Sequence, residues 1–278
     1  MPGPVYLGKI QITWCMKCNL PILEDRTCSC GSQTIKVPLT PPGDAYPALG
    51  RSIKILRGTI DTAYGSGVGM GLLPEDKLIL LNIIPSRDRA VEVVLDGLIL
   101  GRSFYDPSMR EWTFKPTMEG VRRLAGLTEQ KKVTADEGAM AAILRKGSLL
   151  APGVLSADQA IMPGDEVMIQ DPNGRVFSVG SARMTGPEMV KMKRGIASKV
   201  REAEEHCPPK VLKGGQSWED AVKANEDVLR RREEEAVEFI RRVARSHKLP
   251  RCVAFSGGKD SLCTLILVAK ALEDFKIL

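Results

Sequence analysis

The sequence predicts a multidomain α+β protein, and three observations carry that reading. Four cysteines crowd into residues 15–30 of a 278-residue chain. An Asp96-Gly97 turn sits between two apolar runs. An apolar run at 252–255 leads through a double glycine into an apolar, helix-spaced segment. A chain this long has room for two or three domains. Composition shifts divide it at 1–40, 45–128, 130–202 and 215–278.

The first block is expected to be a metal-bound ribbon. Val5 to Trp14 reads as a strand, and a second strand is expected at Gln33 to Val37. Between them lie Cys15-Met16-Lys17-Cys18 and Cys28-Ser29-Cys30-Gly31. Two close cysteine pairs on tight turns can bring four sulfurs to about 2.3 Å from one ion, which is the demand of a structural zinc site. The second pair has one intervening residue instead of two. A redox-active dithiol and an iron–sulfur site are the rival readings. Full ligation by Cys15, Cys18, Cys28 and Cys30 leaves no open position, so no catalysis is assigned to the ion. Pro38, Pro41 and Pro42 close the block.

The second block reads as a small α+β unit without evident chemistry. Ile53, Leu56, Ile60 and Tyr64 fall at helical spacing. Lys77 to Ile84 is strand-like. Val91–Leu95, Asp96-Gly97 and Leu98–Leu100 form a hairpin pattern, because Asp-Gly supplies the positive φ angles of a type I′ turn. A helix is expected from Pro116, carrying Val121 and Leu124.

The third block opens with an expected helix, Ala135–Leu144, ended by Gly147. Strands at Glu166–Gln170 and Arg175–Gly180 flank a Pro172-Asn173-Gly174 turn. A short helix near Pro187–Lys193 and a strand at Ile196–Val200 complete it. The formal net charge is +6. Residues 173–213 hold nine Lys/Arg against four Asp/Glu, so the surplus lies almost wholly in one window. Such a patch suits a polyanion, RNA foremost.

The fourth block follows Pro208-Pro209. A single long helix is expected over Ser217–Arg245, with Ser217 as N-cap and Asp220 at the capping-box position. Asn225 and Arg232 interrupt its apolar stripe. Arg251–Phe255 reads as a buried strand running into Ser256-Gly257-Gly258-Lys259-Asp260-Ser261, then an apolar helix. Glycines let the backbone approach an anion, and a helix N-terminus offers N–H groups to phosphate. Lys259 adds charge, Ser256 and Ser261 add hydroxyls, and Asp260 would cap the helix or hold Mg²⁺. Cys252 and Cys263 are expected in buried positions as small hydrophobes. The chain holds no run of eighteen apolar residues and no signal-peptide pattern. A cytoplasmic protein is expected.

Two resemblances add to this reading. Lys146-Gly147-Ser148, Ala151-Pro152-Gly153-Val154, Pro163-Gly164-Asp165-Glu166-Val167 and Val179-Gly180 occur in an order that resembles a PUA domain, a small RNA-binding β-barrel. That resemblance implies RNA contact through the first helix, its Gly147 loop and the last strand, with Arg145, Lys146, Lys193, Arg194 and Lys199 as candidate contacts. The hexapeptide 256–261 resembles the PP-loop of N-type ATP pyrophosphatases and their sulfonucleotide relatives. With Tyr6-Leu7-Gly8, Trp14-Cys15-x-x-Cys18-Asn19-x-Pro21 and the long helix, the layout resembles an archaeal group. Its members are labelled phosphoadenosine phosphosulfate (PAPS) reductase-like proteins with an N-terminal zinc ribbon and PUA domain. This implies structural zinc, ATP or a related adenine nucleotide with Mg²⁺, and tRNA as the foremost partner. The family label implies sulfonucleotide reduction, but the intact Ser256–Ser261 loop beside a PUA domain favours ATP-dependent adenylation of an RNA base before thiolation; a non-catalytic zinc- and RNA-binding fragment is a further alternative. The chain reads as ending in the second strand of the nucleotide domain, so a separately encoded C-terminal half is an expected partner.

Overall fold

The computed structural model describes residues 12–24, 26–247 and 249–278. Most of the expected Val5–Trp14 strand, and Tyr6-Leu7-Gly8, lie outside these residues. Two compact units divide the chain, one ending at Trp218 and one spanning Glu219–Leu278.

The first unit begins with a three-stranded ribbon. Strand β1 (Ile12–Cys15) pairs antiparallel with β2 (Leu20–Leu23) and β3 (Thr34–Lys36). β2 was not legible in the sequence, because Pro21 sits inside a four-residue strand. Next come β4 (Asp44–Pro47), helix α1 (Gly50–Tyr64) and the short α2 (Val68–Leu72). A meander follows: β5 (Ile79–Ile83), β6 (Ala90–Leu95), β7 (Leu98–Asp106) and β8 (Glu111–Pro116), in sheet order β4-β5-β6-β7-β8. Helix α3 (Met118–Leu124) closes this part, with Thr117 accepting from the Gly120 amide as N-cap.

The sheet is buried on both faces. Side chains alternate along a strand, so neighbours face opposite ways. Ile79, Leu81, Val93 and Leu95 join Leu56, Ile60 and Leu124 in the main core. Leu80 and Val94 face the other way and pack with Ile12, Trp14 and Val37 of the ribbon. The hairpin turn has the expected geometry, with φ of 54° at Asp96 and 74° at Gly97. Gly97 has a second reason to be glycine: a Cβ there would lie 2.6 Å from Cγ of Trp14.

A buried polar network reinforces this junction. Asn19 accepts from the Trp14 indole at 2.7 Å and donates to Asp96 at 2.7 Å. Asp96 also meets Arg123 at 3.1 Å and Lys77 at 3.4 Å. Arg123 continues to Glu119 at 2.9 Å and donates to the Lys210 carbonyl at 2.6 Å. The amides of Lys210 and Leu212 donate to Glu119 and Asp96. Polar groups this deep are stabilising only when fully partnered. Glu92 is a second such centre. Burial pushes its carboxyl up, but hydrogen bonds from Thr40, Asn82 and Arg102 outweigh that and hold it below the ordinary carboxylate range.

The remainder of this unit is a mixed six-stranded sheet. Its elements are β9 (Lys132–Ala135), α4 (Glu137–Leu144), β10 (Leu149–Leu150), β11 (Val154–Ala157), β12 (Glu166–Gln170), β13 (Val176–Ala182), α5 (Gly186–Lys191) and β14 (Ile196–Ala203). The strand order is β10-β14-β13-β12-β9-β11, with β9 and β12 parallel. Every strand, including both edges, contributes to one core around Leu149, Val154, Ile169 and Phe177, which is the curvature of a barrel. Met168, Val176 and Val179 point outward into the core shared with α1 and α3. The barrel and the hairpin sheet are thus packed together.

The second unit corrects two expectations. The single helix over Ser217–Arg245 is two helices, α6 (Trp218–Ala224) and α7 (Glu226–Ser246). Asn225 breaks it, with φ −116° and ψ 10°. Its side-chain amide donates back to the Ala221 carbonyl at 2.8 Å, so the polar residue on the apolar stripe is a local backbone partner. Then come β15 (Cys252–Val253), α8 (Lys259–Ala271) and β16 (Lys276–Ile277), with β15 and β16 parallel. Cys252 and Cys263 are exposed rather than buried. Among the described residues β15 has β16 as its one strand neighbour, and α8 buries none of its side chains. No helix among the described residues is long and apolar enough to cross a membrane.

Candidate metal centre and nucleic-acid interface

The four ribbon cysteines converge. Cys15 and Cys18 flank the β1–β2 turn, where Asn19 takes a left-handed φ of 55°. Cys28 and Cys30 lie on a second turn, closed by the Gly31 amide on the Cys28 carbonyl at 2.8 Å, with Gly31 at φ 79°. All four Sγ atoms lie within 4.8 Å of one another. Cys15 to Cys30 is 3.6 Å and Cys28 to Cys18 is 4.0 Å. A tetrahedron with metal–sulfur bonds of about 2.3 Å has edges of roughly 3.8 Å, so the spacing fits a tetrahedral ion. The short second pair is no obstacle, since the Gly31 turn swings Cys30 back toward Cys15. The thiols are not equivalent. The Ser32 hydroxyl and amide draw Cys30 down to about 6, while the hydrogen bond with Cys30 and burial push Cys18 up to about 12.

The five candidate RNA contacts are brought together in part. Arg145 caps the C-terminus of α4, and Lys146 follows with a left-handed φ of 69°. The turn places Gly147 where a Cβ would lie 2.8 Å from the Ala142 carbonyl. β10 starts two residues on and pairs with β14, through Leu149↔Ser198 and Leu150↔Ile196. The Ala151 amide reaches the Gly195 carbonyl at 3.0 Å. The turn bearing Lys193 and Arg194 thus adjoins the strand that follows Lys146, and Lys199 lies further along β14. All five cations are exposed, and none has an acidic partner within ion-pair distance among the described residues. Sequence reasoning missed the apolar part of this edge. Leu150, Met192 and Ile196 are each about half exposed beside the cations. Leu150 and Ile196 read as ordinary strand residues, and nothing in their periodicity says which side faces solvent.

Residues 256–261 form a bend that opens α8, and residues 254–256, without regular structure, separate that bend from the end of β15. Gly257 takes φ 78°, Gly258 is the N-cap, and Lys259 opens α8. Ser256 and Ser261 face each other across the turn at 3.2 Å. Lys259 and Asp260 lie 4.0 Å apart and both are exposed. The strand before the turn is shorter than the expected 251–255, ending at Val253.

The sequence profile of the PUA domain family matches residues 131–203. This stretch is a PUA domain. Its matched span coincides with β9 to β14, so the five cations lie on the PUA domain. An uncharacterized protein of Methanocaldococcus jannaschii is 35% identical over 275 residues, covering 96% of this chain and 56% of its own length. The archaeosine synthase of Haloferax volcanii is 49% identical over 59 residues, 21% of this chain and 10% of that protein. A tRNA (cytosine(72)-C(5))-methyltransferase of Pyrococcus horikoshii is 44% identical over 68 residues, 24% of this chain and 18% of that enzyme. The chain spans about half the length of the Methanocaldococcus protein and smaller shares of the other two.

Proposed function

We propose that this chain grips tRNA for a base-modifying enzyme, through the PUA edge that carries Arg145, Lys146, Lys193, Arg194 and Lys199. The observation that carries this reading is the set of exposed cations, without an acidic partner among the described residues, on adjoining turns and the last strand of a PUA domain. Relatives named as an archaeosine synthase and a tRNA methyltransferase support tRNA as the partner. The cations set position on the phosphate backbone rather than read sequence. The exposed Leu150, Met192 and Ile196 offer apolar contact to sugars or base faces between them. Cys15, Cys18, Cys28 and Cys30 hold a structural zinc ion, closed to substrate.

Binding of tRNA to the full chain should weaken steeply between 50 and 200 mM salt, as about one counterion is released per phosphate neutralised. The triple variant Lys146→Ala, Lys193→Ala, Arg194→Ala is expected to bind at least tenfold more weakly. Its log–log salt slope should be shallower by roughly two to three. Salt-independent binding, or a variant that matches wild type, would sink this reading.

The same proposal gives residues 256–261 to ATP with Mg²⁺. Amides of the Gly257 turn and Lys259 would hold the β- and γ-phosphates while an RNA oxygen attacks the α-phosphate and pyrophosphate departs. Charge stabilisation by these donors is the protein's share of such a step. Lys259 and Asp260 are both retained, which favours an ATP ligand over a sulfonucleotide, so adenylation is preferred to PAPS reduction. ATP–pyrophosphate exchange that depends on tRNA and is lost in Lys259→Ala is the expected result. Exchange absent with and without tRNA, alongside PAPS reduction, would reverse the preference.

A further inference from the structure

The hairpin sheet carries a cavity of about 880 Å³ that no motif accounts for. It opens between the first turns of α1 and the β4–β8 sheet, over a floor that includes Leu56, Leu81 and Val91. That volume lies within the range of small-ligand sites. One wall is aromatic. Tyr105 and Trp112 are direct partners across β7 and β8. Their ring centroids are 5.3 Å apart and tilted by 50°, and both rings are partly exposed. The other wall is cationic. Arg51 on α1 and Arg89 before β6 both line the cavity and are exposed. Neither guanidinium has an acidic partner within ion-pair distance among the described residues. Asp88 is the acid in the lining, and it accepts from the Arg89 amide at 2.6 Å. The first turn of α1 contains no acid and Leu49 supplies no side-chain cap, so its positive end adds to Arg51.

A cross-strand aromatic pair alone is common hairpin stabilisation. That explains Tyr105 and Trp112 but not two unpaired arginines facing the same space. An apolar peptide would bury those charges without compensation. A small free anion would leave the rings unused. One ligand class uses both walls: a nucleotide, with a π-face for the rings and a phosphate for the arginines.

We propose that this cavity is a second RNA subsite, taking an unpaired nucleotide with its base on Tyr105 and Trp112 and its phosphate between Arg51 and Arg89. It rests on the reading of the chain as RNA-binding, and extends that reading from the PUA edge to the α1–sheet face. Because stacking needs no particular base, the subsite would tolerate any sequence and select for single-strandedness.

The test uses the full chain and two probes, a labelled hexauridylate and free UMP, with anisotropy and tryptophan fluorescence as readouts. Wild type should bind the oligonucleotide. Trp112→Ala should weaken it by about five- to a hundredfold, the range measured for one stacked base. The surface double variant Arg51→Ala, Arg89→Ala should weaken it at least fivefold with an unchanged melting curve. That keeps the test open if Trp112→Ala fails to fold. UMP should compete only weakly. No oligonucleotide binding by wild type overturns the proposal, as do arginine variants that bind like wild type. UMP that saturates the cavity and excludes the strand also overturns it, making the site one for a free nucleotide. The Lys146, Lys193, Arg194 variant separates the two claims. It should lose tRNA affinity yet keep hexauridylate binding; if it keeps tRNA affinity, the PUA reading fails while the cavity stands or falls on its own variants.

Discussion

Cys28→Ser is expected to strip zinc from the purified protein and to unfold the ribbon. Wild type purified without added metal should carry about one zinc per chain by elemental analysis, and the variant close to none. The physical reason is size. Three strands of three or four residues bury too little to hold themselves together, and units this small generally need a metal or disulfide. Apparent zinc-binding energies in zinc-finger peptides reach about 10–16 kcal/mol, and that energy is folding energy. The full amount will not appear here, because Trp14 and Ile12 also pack on Leu80 and Val94. The loss should show as new hydrogen-exchange opening across β1 to β3 and a lower melting temperature. Wild type with near-zero metal and an ordinary melt would refute the metal centre and revive the dithiol reading.

Arg123→Met should destabilise the first unit by about 3–5 kcal/mol, the usual cost of leaving a buried charge without its partner. The Arg123 side chain is 6% exposed and bridges Asp96 and Glu119. Its removal leaves Asp96 with Lys77 and Asn19, and Glu119 with the Lys210 amide and a 3.9 Å contact to Arg122. Urea unfolding followed by tryptophan fluorescence, to which Trp14, Trp112 and Trp218 all contribute, would report it. A loss under about 1 kcal/mol would mean that the network relaxes freely and is not a fastening. The double variant Arg123→Met, Asp96→Asn should recover none of the loss, since the second change takes the carboxylate from the buried Lys77.

Local chemistry was legible from sequence wherever it is short-range. The Asp96-Gly97 turn, the α1 stripe and the cysteine pairs each declare themselves within a few residues, and all take the expected form. What depends on distant neighbours was not. Asn225 on an apolar stripe reads as tolerated polarity, yet it sits at the break between two helices and its side-chain amide donates to the Ala221 carbonyl of the first. Cys252 and Cys263 have the hydrophobic company of a buried element, but burial requires strands and helices against them, which no local pattern supplies. The cavity was invisible for the same reason. Arg51, Arg89, Tyr105 and Trp112 are spread over 62 positions, and only the pairing of β7 with β8 and the seating of α1 gather them.

The stretch between Ala203 and Trp218 has neither helix nor strand, the look of a loose connection. Its bonds say otherwise. Glu204 is held by Arg122, Lys210 by Glu119 and Arg123, Leu212 by Asp96 and Lys77, and Gln216 by the Asp76 carbonyl. Its contacts with the rest of the first unit recur along its length, at residues 204, 210, 212 and 216. It behaves as a seam. One side of the seam is Asp96, which touches Asn19, the residue after the metal-site cysteine Cys18. Irregular backbone here is thus part of the first unit's packing, and a cut made in it by truncation would remove partners from the centre of that unit.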